Sequence, residues 1–273
     1  MKAITVTTPD GLHIAVQEWG NPDGPEIVFI HGFCQSHLSW IHQVMNAELA
    51  AEFRMVTYDL RGHGGSDKPV DATRYHDGRP WADELGAVIA GAGVRRPVLV
   101  GWSYGGRVIC DFLRRFGDSA IAGIDFIAAV TKNDGTLLGP GLKHTAGMQS
   151  EDLATNIAAT KAFARACFER QPAQDLFDAV LAYSMMVPAK VRGLLRDRPA
   201  NAGEVLATIK VPVLVTHGEK DVLVLEAMGR FTASQVKGAK LSIFPGVGHS
   251  PFCEDAPRFN RELAEFVRAA NGR

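Results

Sequence analysis

The sequence predicts an α/β protein, with a mostly parallel sheet of eight strands and helices on both faces of the sheet. Short β-type runs alternate with longer segments of helical periodicity, which is typical of parallel sheets. One block without strand patterns interrupts this alternation. The 273 residues fit one large domain, or a core domain with an insertion.

The predicted strands follow the apolar runs along the chain. They cover residues 2–8, 12–19, 26–31, 54–59, 97–102, 122–129, 211–216 and 240–245. The turn residues Pro9-Asp10-Gly11 separate the first two strands, which predicts an antiparallel hairpin at the sheet edge. Helical patterns fill residues 37–51, 80–92, 104–116, 224–236 and 256–270.

The block at 132–208 lacks strand patterns and predicts a helical cap inserted between two strands. It opens with a glycine-rich loop from Asn133 to Gly141. Apolar positions then support one helix between Leu153 and Cys167 and a second between Leu176 and Tyr183. The expected organisation is therefore a core domain of residues 1–131 and 209–273, with the cap between the two parts.

Composition excludes several classes of function. Lys and Arg number 29 against 30 Asp and Glu, for a net charge of −1, so neither nucleic acid nor an anionic membrane is expected as the main partner. The N-terminus lacks the apolar core of a signal peptide and no apolar run is long enough to span a membrane, so the expected location is the cytoplasm. The four cysteines have no paired spacing, which predicts reduced thiols and no metal site.

The segment VGWSYGGR, residues 100–107, predicts a nucleophilic serine at a sharp bend. A strand that turns at once into a helix holds the residue between them in a strained conformation, with its side chain at the carboxyl edge of the sheet. Gly101 and Gly105 relieve the crowding around such a bend. Ser103 is therefore the candidate nucleophile; its alternative role is a helix N-cap in a tight turn.

A serine hydroxyl needs a base, and the base needs an orienting carboxylate. His249 follows the strand at 240–245, and Asp221 follows the strand at 211–216, so both lie at the same sheet edge as Ser103. Glu219 and Asp134 are alternative acids. We expect Glu219 to support its loop and Asp134 to open the cap linker.

Two backbone amides are expected to bind the oxyanion of a tetrahedral intermediate. One belongs to Tyr104, directly after the nucleophile. The other belongs to Phe33, in the loop after the strand at 26–31, where Gly32 permits a close approach to the site. His31 is expected to brace this loop by hydrogen bonding, with a role as base as the alternative.

Further polar and thiol residues near these motifs are interpreted as structural. Arg61 and His63 are expected to fix their loop by hydrogen bonding, not to act in catalysis. Cys34 and Cys253 flank the predicted site and are interpreted as small apolar fillers with inert thiols.

Five motifs resemble those of the α/β-hydrolase superfamily, and the resemblance extends from about residue 12 to the C-terminus. They are HGFCQS (31–36), YDLRGHGGSDKP (58–69), GWSYGG (101–106), HGEKDVLV (217–224) and GHSPFCEDAPRFN (248–260). The resemblance implies an eight-stranded sheet, a cap, and a Ser103-Asp221-His249 triad that needs no metal or organic cofactor.

Within that superfamily, residues 81–106 resemble esterases and the cofactor-free haloperoxidase and perhydrolase group. The residue after the serine is often methionine in the perhydrolases, whereas Tyr104 stands here. Epoxide hydrolases and haloalkane dehalogenases place aspartate at the nucleophile position, so Ser103 argues against both.

The expected function is hydrolysis of a small, largely apolar carboxylic ester through an acyl-enzyme on Ser103. The alternatives on the same triad are a perhydrolase or haloperoxidase activity, a lactonase and a carbon–carbon bond hydrolase. The motifs give less support to two further alternatives, a lyase or cofactor-free oxygenase and a ligand receptor with this fold. The expected partner is a small-molecule ester, and the oligomeric state is left open.

Overall fold

The computed structural model describes residues 1–198 and 203–272. Residues 199–202 of the predicted cap and residue 273 of the predicted core domain lie outside the described residues.

One sheet of eight strands organises the molecule, in the order β1-β2-β4-β3-β5-β6-β7-β8. The strands are β1 (Lys2–Thr7), β2 (His13–Gly20), β3 (Glu26–Ile30), β4 (Arg54–Tyr58), β5 (Val98–Trp102), β6 (Gly123–Ile127), β7 (Val213–Gly218) and β8 (Lys240–Phe244). β1 and β2 form the predicted antiparallel hairpin at one edge, and from β4 to β8 all neighbours are parallel. The predicted fold class is confirmed.

The helices cover the two faces of the sheet. They are α1 (Ile41–Val44), α2 (Ala47–Glu52), α3 (Arg79–Gly91), α4 (Tyr104–Phe116), α5 (Leu153–Ala166), α6 (Gln174–Met185), α7 (Ala189–Arg196), α8 (Gly203–Leu206), α9 (Glu226–Gln235), α10 (Pro251–Glu254) and α11 (Ala256–Ala270). Short 3₁₀ segments occur at His37–Trp40, Ala72–Arg74, Gly135–Leu137 and Pro140–Gln149.

The helix predicted over 37–51 is broken into three short segments. Asn46 has an extended backbone, and its side chain accepts a hydrogen bond of 2.9 Å from the Leu49 amide. An asparagine that caps a new helix start in this way competes with continuation of the preceding helix. The helical pattern therefore predicted helical structure in this part of the chain, but it did not predict the division into three segments.

Between β6 and β7 the described chain contains helices and no strand of the sheet. The glycine-rich stretch around 133–141 continues into the 3₁₀ segment Pro140–Gln149, which packs against α5. α7 and α8 add to the two helices that the apolar pattern predicted. The exact division into a core domain and a cap remains a prediction.

A buried cation joins the segments between β6 and β7. Arg192 of α7 is 1% exposed, and it donates hydrogen bonds to carbonyl, amide and hydroxyl oxygens. These acceptors are Val187 O, Met148 O, Ser184 O, Asn156 Oδ1 and Thr160 Oγ1, at 2.7 to 3.1 Å. Because they come from the 3₁₀ segment, α5 and the end of α6, Arg192 holds these segments together with α7.

The loop after β4 is held by a second buried arginine. Arg61 is fully buried and donates to the Glu84 carboxylate of α3 at 2.7 Å and to Asp10 at 2.9 Å. It also donates to the Pro80 carbonyl at 2.9 Å. All these contacts join backbone segments and none faces the predicted site, in agreement with a structural role for Arg61.

Replacing Arg61 by methionine should destabilise the fold strongly, because the carboxylate of Glu84 would stay buried without its cation. The expected loss is about 3–5 kcal/mol in the free energy of unfolding, measured by urea denaturation. The double variant Arg61→Met/Glu84→Gln should recover part of that loss. Arg79→Met, in which an exposed arginine loses its partner Asp83, is the control and should cost about 1 kcal/mol or less. Equal losses in the two single variants would contradict this account.

Candidate active site

Ser103 lies at a sharp bend between β5, which ends at Trp102, and α4, which begins at Tyr104. Its φ of 53° is rare for a residue with a side chain. The next strand holds the bend: Ser103 N–H donates to Ile127 O at 2.8 Å, and Val130 N–H donates to Ser103 O at 3.1 Å. The strained conformation predicted for this serine is therefore present and is fixed from both sides.

Glycine residues on both sides of the serine allow a close approach of backbone and side chains. A Cβ on Gly105 would lie 2.4 Å from the Ile30 carbonyl oxygen of β3. A Cβ on Gly101 would lie 2.5 Å from the Ile109 side chain. These close approaches let the first turn of α4 pack directly onto the sheet.

His249 and Asp221 meet at the same sheet edge, in the loops after β8 and β7. His249 Nδ1 lies 2.6 Å from Asp221 Oδ2, and the His249 carbonyl accepts a hydrogen bond of 2.8 Å from Trp102 Nε1. Because the carboxylate accepts from Nδ1–H, the lone pair of the imidazole lies on Nε2. Both His249 and Ser103 line one cavity.

The Asp221 carboxylate is buried and fully hydrogen-bonded. Its Oδ1 accepts from the amides of Leu223 and Val224 at 2.8 and 3.0 Å, and His217 Nε2 lies 3.3 Å from Oδ2. Burial alone would raise the pKa of Asp221, but His249 and the hydrogen bonds from the two histidines outweigh burial and lower it well below its ordinary value. The carboxylate is therefore ionised, as an orienting group must be.

Phe33 and Tyr104, whose amides are the predicted oxyanion donors, line the same cavity as Ser103, and their rings lie 6.5 Å apart. Neither amide has a hydrogen-bond partner among the described residues. Gly32 brings the loop close to the nucleophile, since a Cβ there would lie 3.4 Å from Ser103 Cβ. The two predicted oxyanion donors are thus brought together with Ser103.

Two buried histidines brace the loop that carries Phe33. His31 Nε2 accepts from Leu60 N–H at 3.0 Å, and its Nδ1 donates to the Gly32 carbonyl at 2.8 Å. His63 Nε2 accepts from Cys34 N–H at 3.2 Å, and its Nδ1 donates to the Arg61 carbonyl at 2.9 Å. Burial lowers the pKa of His31 to about 4 and that of His63 to about 3. Both rings are therefore neutral, which leaves Nε2 free to accept.

The alternative acids have other partners. Glu219 accepts from the Gly246 amide at 2.9 Å and so supports the loop before His249. Asp134 caps the 3₁₀ segment Gly135–Leu137 by accepting from Thr136 N–H at 3.0 Å.

The two cysteines near the site have protonated thiols. Burial raises the pKa of Cys34 and of Cys253 to about 12. Neither residue lines the cavity that contains Ser103.

The cavity around Ser103 measures about 220 Å³, which suits a small substrate. Its wall is mostly apolar. The apolar residues that line it are Phe33, Tyr104, Val130, Leu138, Leu142, Phe163, Leu195, Leu223 and Val224. Phe163 of α5 both lines the cavity and packs in the hydrophobic core, together with Phe168, Phe177 and Tyr183, which do not line the cavity.

A carboxylate ties the His249 loop to the segment that follows α5. Glu254 accepts hydrogen bonds from the Gly248 amide at 2.9 Å and from the Glu169 and Arg170 amides at 3.1 and 2.9 Å. The position of His249 is therefore linked to the position of the helices over the sheet.

One part of the cavity is cationic, which the sequence patterns did not predict. Arg107, Arg196 and Arg198 line it together with the apolar residues. Arg107 lies in the first turn of α4, directly after the bend at Ser103, and this closeness along the chain is the signal that could have identified it. For Arg198 the sequence contains no comparable signal. His217, next to Asp221, was also missed.

Within the described part of the chain, no group of three or more His, Cys, Asp or Glu side chains could hold a metal ion. No helix there has the length and apolar character needed to cross a membrane.

Comparison with known proteins gives strong matches over the whole chain. The model of the alpha/beta hydrolase family matches residues 27–262. A bifunctional esterase/perhydrolase of Acinetobacter calcoaceticus is 32% identical, covering 97% of this chain and 99% of the relative.

Two solved structures superpose over nearly the full length. A Burkholderia cenocepacia protein assigned as an aryl esterase has a TM-score of 0.96 at 39% identity and covers 100% of both chains. An esterase from Rhodococcus sp. ECU1013 has a TM-score of 0.92 at 34% identity, covering 99% of this chain and 100% of that one.

The neutral, buried His63 should make the free energy of unfolding depend on pH. Its pKa is lowered in the folded state, so the unfolded chain binds the proton first as pH falls below about 6.5. Between its pKa in the folded state and its pKa in the unfolded state, each such histidine should lower the free energy of unfolding by about 1.4 kcal/mol for every unit that the pH falls. In His63→Gln, the free energy of unfolding measured by urea denaturation should depend less steeply on pH between about pH 6 and pH 4, by about that amount.

The pH dependence of the free energy of unfolding decides the test, and its absolute value does not, because the substitution also lowers stability at every pH. His76→Gln, at an exposed histidine, controls for the loss of a histidine as such. A slope in His63→Gln equal to that of the unmodified protein would contradict the neutral state of His63.

Proposed function

The chain belongs to the α/β-hydrolase family, and on that premise we propose that it hydrolyses small carboxylic esters with Ser103 as the nucleophile. The observation that carries the proposal is the convergence of Ser103, the His249–Asp221 pair and two unpaired amides on one small cavity. The esterase relatives support the ester as the substrate class.

In the first half of the proposed reaction, His249 Nε2 takes the proton from Ser103 as Oγ attacks the ester carbonyl carbon. The carbonyl oxygen becomes an oxyanion, and the amides of Phe33 and Tyr104 donate to it. The carbon–oxygen bond to the alcohol then breaks, and the protonated His249 gives its proton to the leaving alkoxide. Asp221 stabilises the imidazolium while it exists.

In the second half, water replaces the alcohol. His249 takes a proton from the water as its oxygen attacks the acyl carbon, and the same two amides bind the second oxyanion. The bond to Ser103 breaks, the proton returns to Oγ, and the carboxylic acid leaves.

We propose that residues 132–208 act as a cap over this site. Leu142, Phe163 and Leu195 from this segment line the cavity opposite the bend at Ser103. Their apolar side chains exclude bulk water and so strengthen the electrostatic interactions inside the cavity. The small volume of the cavity favours short acyl groups.

A perhydrolase activity on the same acyl-enzyme is the second candidate, because the Acinetobacter calcoaceticus relative is a bifunctional esterase/perhydrolase. Hydrogen peroxide would replace water in the second half and release a peracid. Peracid formation from acetate esters in the presence of peroxide measures this activity directly.

Replacing Ser103 by alanine should abolish both ester turnover and labelling by a fluorophosphonate, because the alanine has no oxygen to form the covalent bond. Intact-mass spectrometry should show one adduct on the unmodified protein and on the control Ser234→Ala, which changes an exposed serine of α9. A retained adduct or undiminished turnover in Ser103→Ala would overturn the assignment of the nucleophile.

Asp221→Asn should lower kcat by about 10³- to 10⁴-fold, because the new amide group favours the wrong tautomer of His249. Its N–H₂ would face Nδ1 and move the imidazole proton to Nε2, which must accept from Ser103. Glu219→Gln is the control, since its amide oxygen can still accept from Gly246 N–H. A comparable loss of kcat in both variants would speak against Asp221 as the orienting acid.

A further inference from the structure

One end of the cavity that contains Ser103 is cationic. Arg107 lies on α4, four residues after Ser103, and Arg198 follows the end of α7. Both line the same cavity as Ser103 and His249. An ester hydrolase for purely apolar substrates has no need of two arginines beside its nucleophile, because burying a cation is costly.

Donor atoms at this end are buried and unpaired. Arg107 Nε, Arg198 Nε and Nη1, and the hydroxyl of Tyr104 have no hydrogen-bond partner among the described residues. Arg198 and Tyr104 are each only 4% exposed. Buried polar groups are normally hydrogen-bonded, so a cluster of unpaired donors indicates a bound acceptor.

The two guanidinium groups are held in position by their other contacts. Both stack on the Tyr104 ring, with centroid distances of 5.3 Å for Arg107 and 5.5 Å for Arg198. Arg198 also stacks on Trp81 at 4.7 Å, and Arg107 Nη1 donates to the Arg198 carbonyl at 3.2 Å. Their planes are therefore fixed before any ligand enters.

The charges at this end do not balance. Asp111 forms an ion pair with Arg198 through Nη2, but the same carboxylate also accepts from Arg114 at 3.0 Å. Burial, together with the nearby charge of Arg198, lowers the pKa of Arg107 to about 10, so its guanidinium is still charged at neutral pH. The third arginine, Arg196, pairs with Asp197 and is partly exposed. Among the described residues Arg107 has no acidic partner, and a guanidinium with its planar set of donors matches a carboxylate.

We propose that Arg107, Arg198 and the Tyr104 hydroxyl bind a carboxylate of the substrate, and that the enzyme hydrolyses monoesters of dicarboxylic acids. This inference rests on the proposed ester hydrolase function and names its substrate class. The free carboxylate is bound at the cationic end while the ester carbonyl lies at Ser103.

The carboxylate belongs to the acid part of the ester. The alcohol must leave and water must enter during each turnover, whereas the acid part stays attached to Ser103, so the buried end of the cavity suits the part that stays. Arg107 lies in the first turn of α4, which begins directly after Ser103, and one helical turn rises about 5.4 Å, so a short methylene chain is expected between the two carboxyl groups.

Matched pairs of esters test the proposal. Monomethyl adipate and methyl hexanoate have the same chain length, and only the first carries a carboxylate; succinate, glutarate and suberate monoesters extend the series. We expect kcat/KM for the best monoester to exceed that of its neutral partner by about tenfold or more, and the ratio to fall with added salt. In calorimetry, the free dicarboxylate should bind to Ser103→Ala.

Substitutions identify the residues responsible. Arg107→Met should lower the ratio of charged to neutral kcat/KM by about tenfold or more, and Tyr104→Phe should lower it by a smaller factor, because it removes one uncharged donor. Arg115→Met is the matched control: it removes an arginine from the same helix, where Arg115 pairs with Asp83 away from the cavity. This control should retain the ratio.

The outcomes separate the two proposals. Cleavage of neutral esters without preference for any charged partner, and no dicarboxylate binding to Ser103→Ala, would overturn the carboxylate site and leave the ester hydrolase standing. If no ester is cleaved and no serine adduct forms, the proposed function fails, while dicarboxylate binding to Ser103→Ala still decides whether the carboxylate site exists. A ratio that falls equally in Arg115→Met would also overturn the site, since net charge alone would then explain the preference.

Discussion

The hydrogen bonds between the bend at Ser103 and the end of β6 are the interactions on which the rest of the site depends. They hold a positive φ at a residue with a side chain, and so project the hydroxyl from the sheet edge instead of into the helix. Ile127 and Val130 belong to the neighbouring strand and its continuation, so the strain at Ser103 is supported by the sheet itself. The parallel order of β3, β5, β7 and β8 then brings every other group of the site to the same edge.

Burial disfavours the charged form of every titratable group around the serine, but the outcome differs between them. For His31 and His63 burial outweighs the nearby charge of Asp59, so both stay neutral and accept hydrogen bonds from the Leu60 and Cys34 amides. Asp221 is equally buried, yet it stays charged because amides and two histidines surround it. The same low dielectric thus yields rigid neutral braces on one side of the cavity and a strong orienting charge on the other.

Much of this architecture could be predicted from the sequence, because it depends on local patterns. The positions of the strands along the chain follow from apolar runs, and Ser103, Asp221 and His249 each lie shortly after a strand. The roles of these three residues remain predictions. The break at Asn46 was missed because a single cap outweighs helical periodicity. Arg198 and Arg192 were missed because their surroundings are assembled from distant segments, and no spacing along the chain encodes which carbonyls or rings will face a guanidinium.

The contacts of Glu254 have a consequence for the movement of ligands. Glu254 belongs to the helix after His249, and the segment after α5 cannot separate from it without breaking three hydrogen bonds: two from the Glu169 and Arg170 amides to the carboxylate, and one from Arg170 Nη2 to the Glu254 carbonyl. The segment after α5 therefore cannot swing away from the His249 loop as a free lid. Exchange of alcohol and water must therefore proceed while the His249 loop stays attached to this segment.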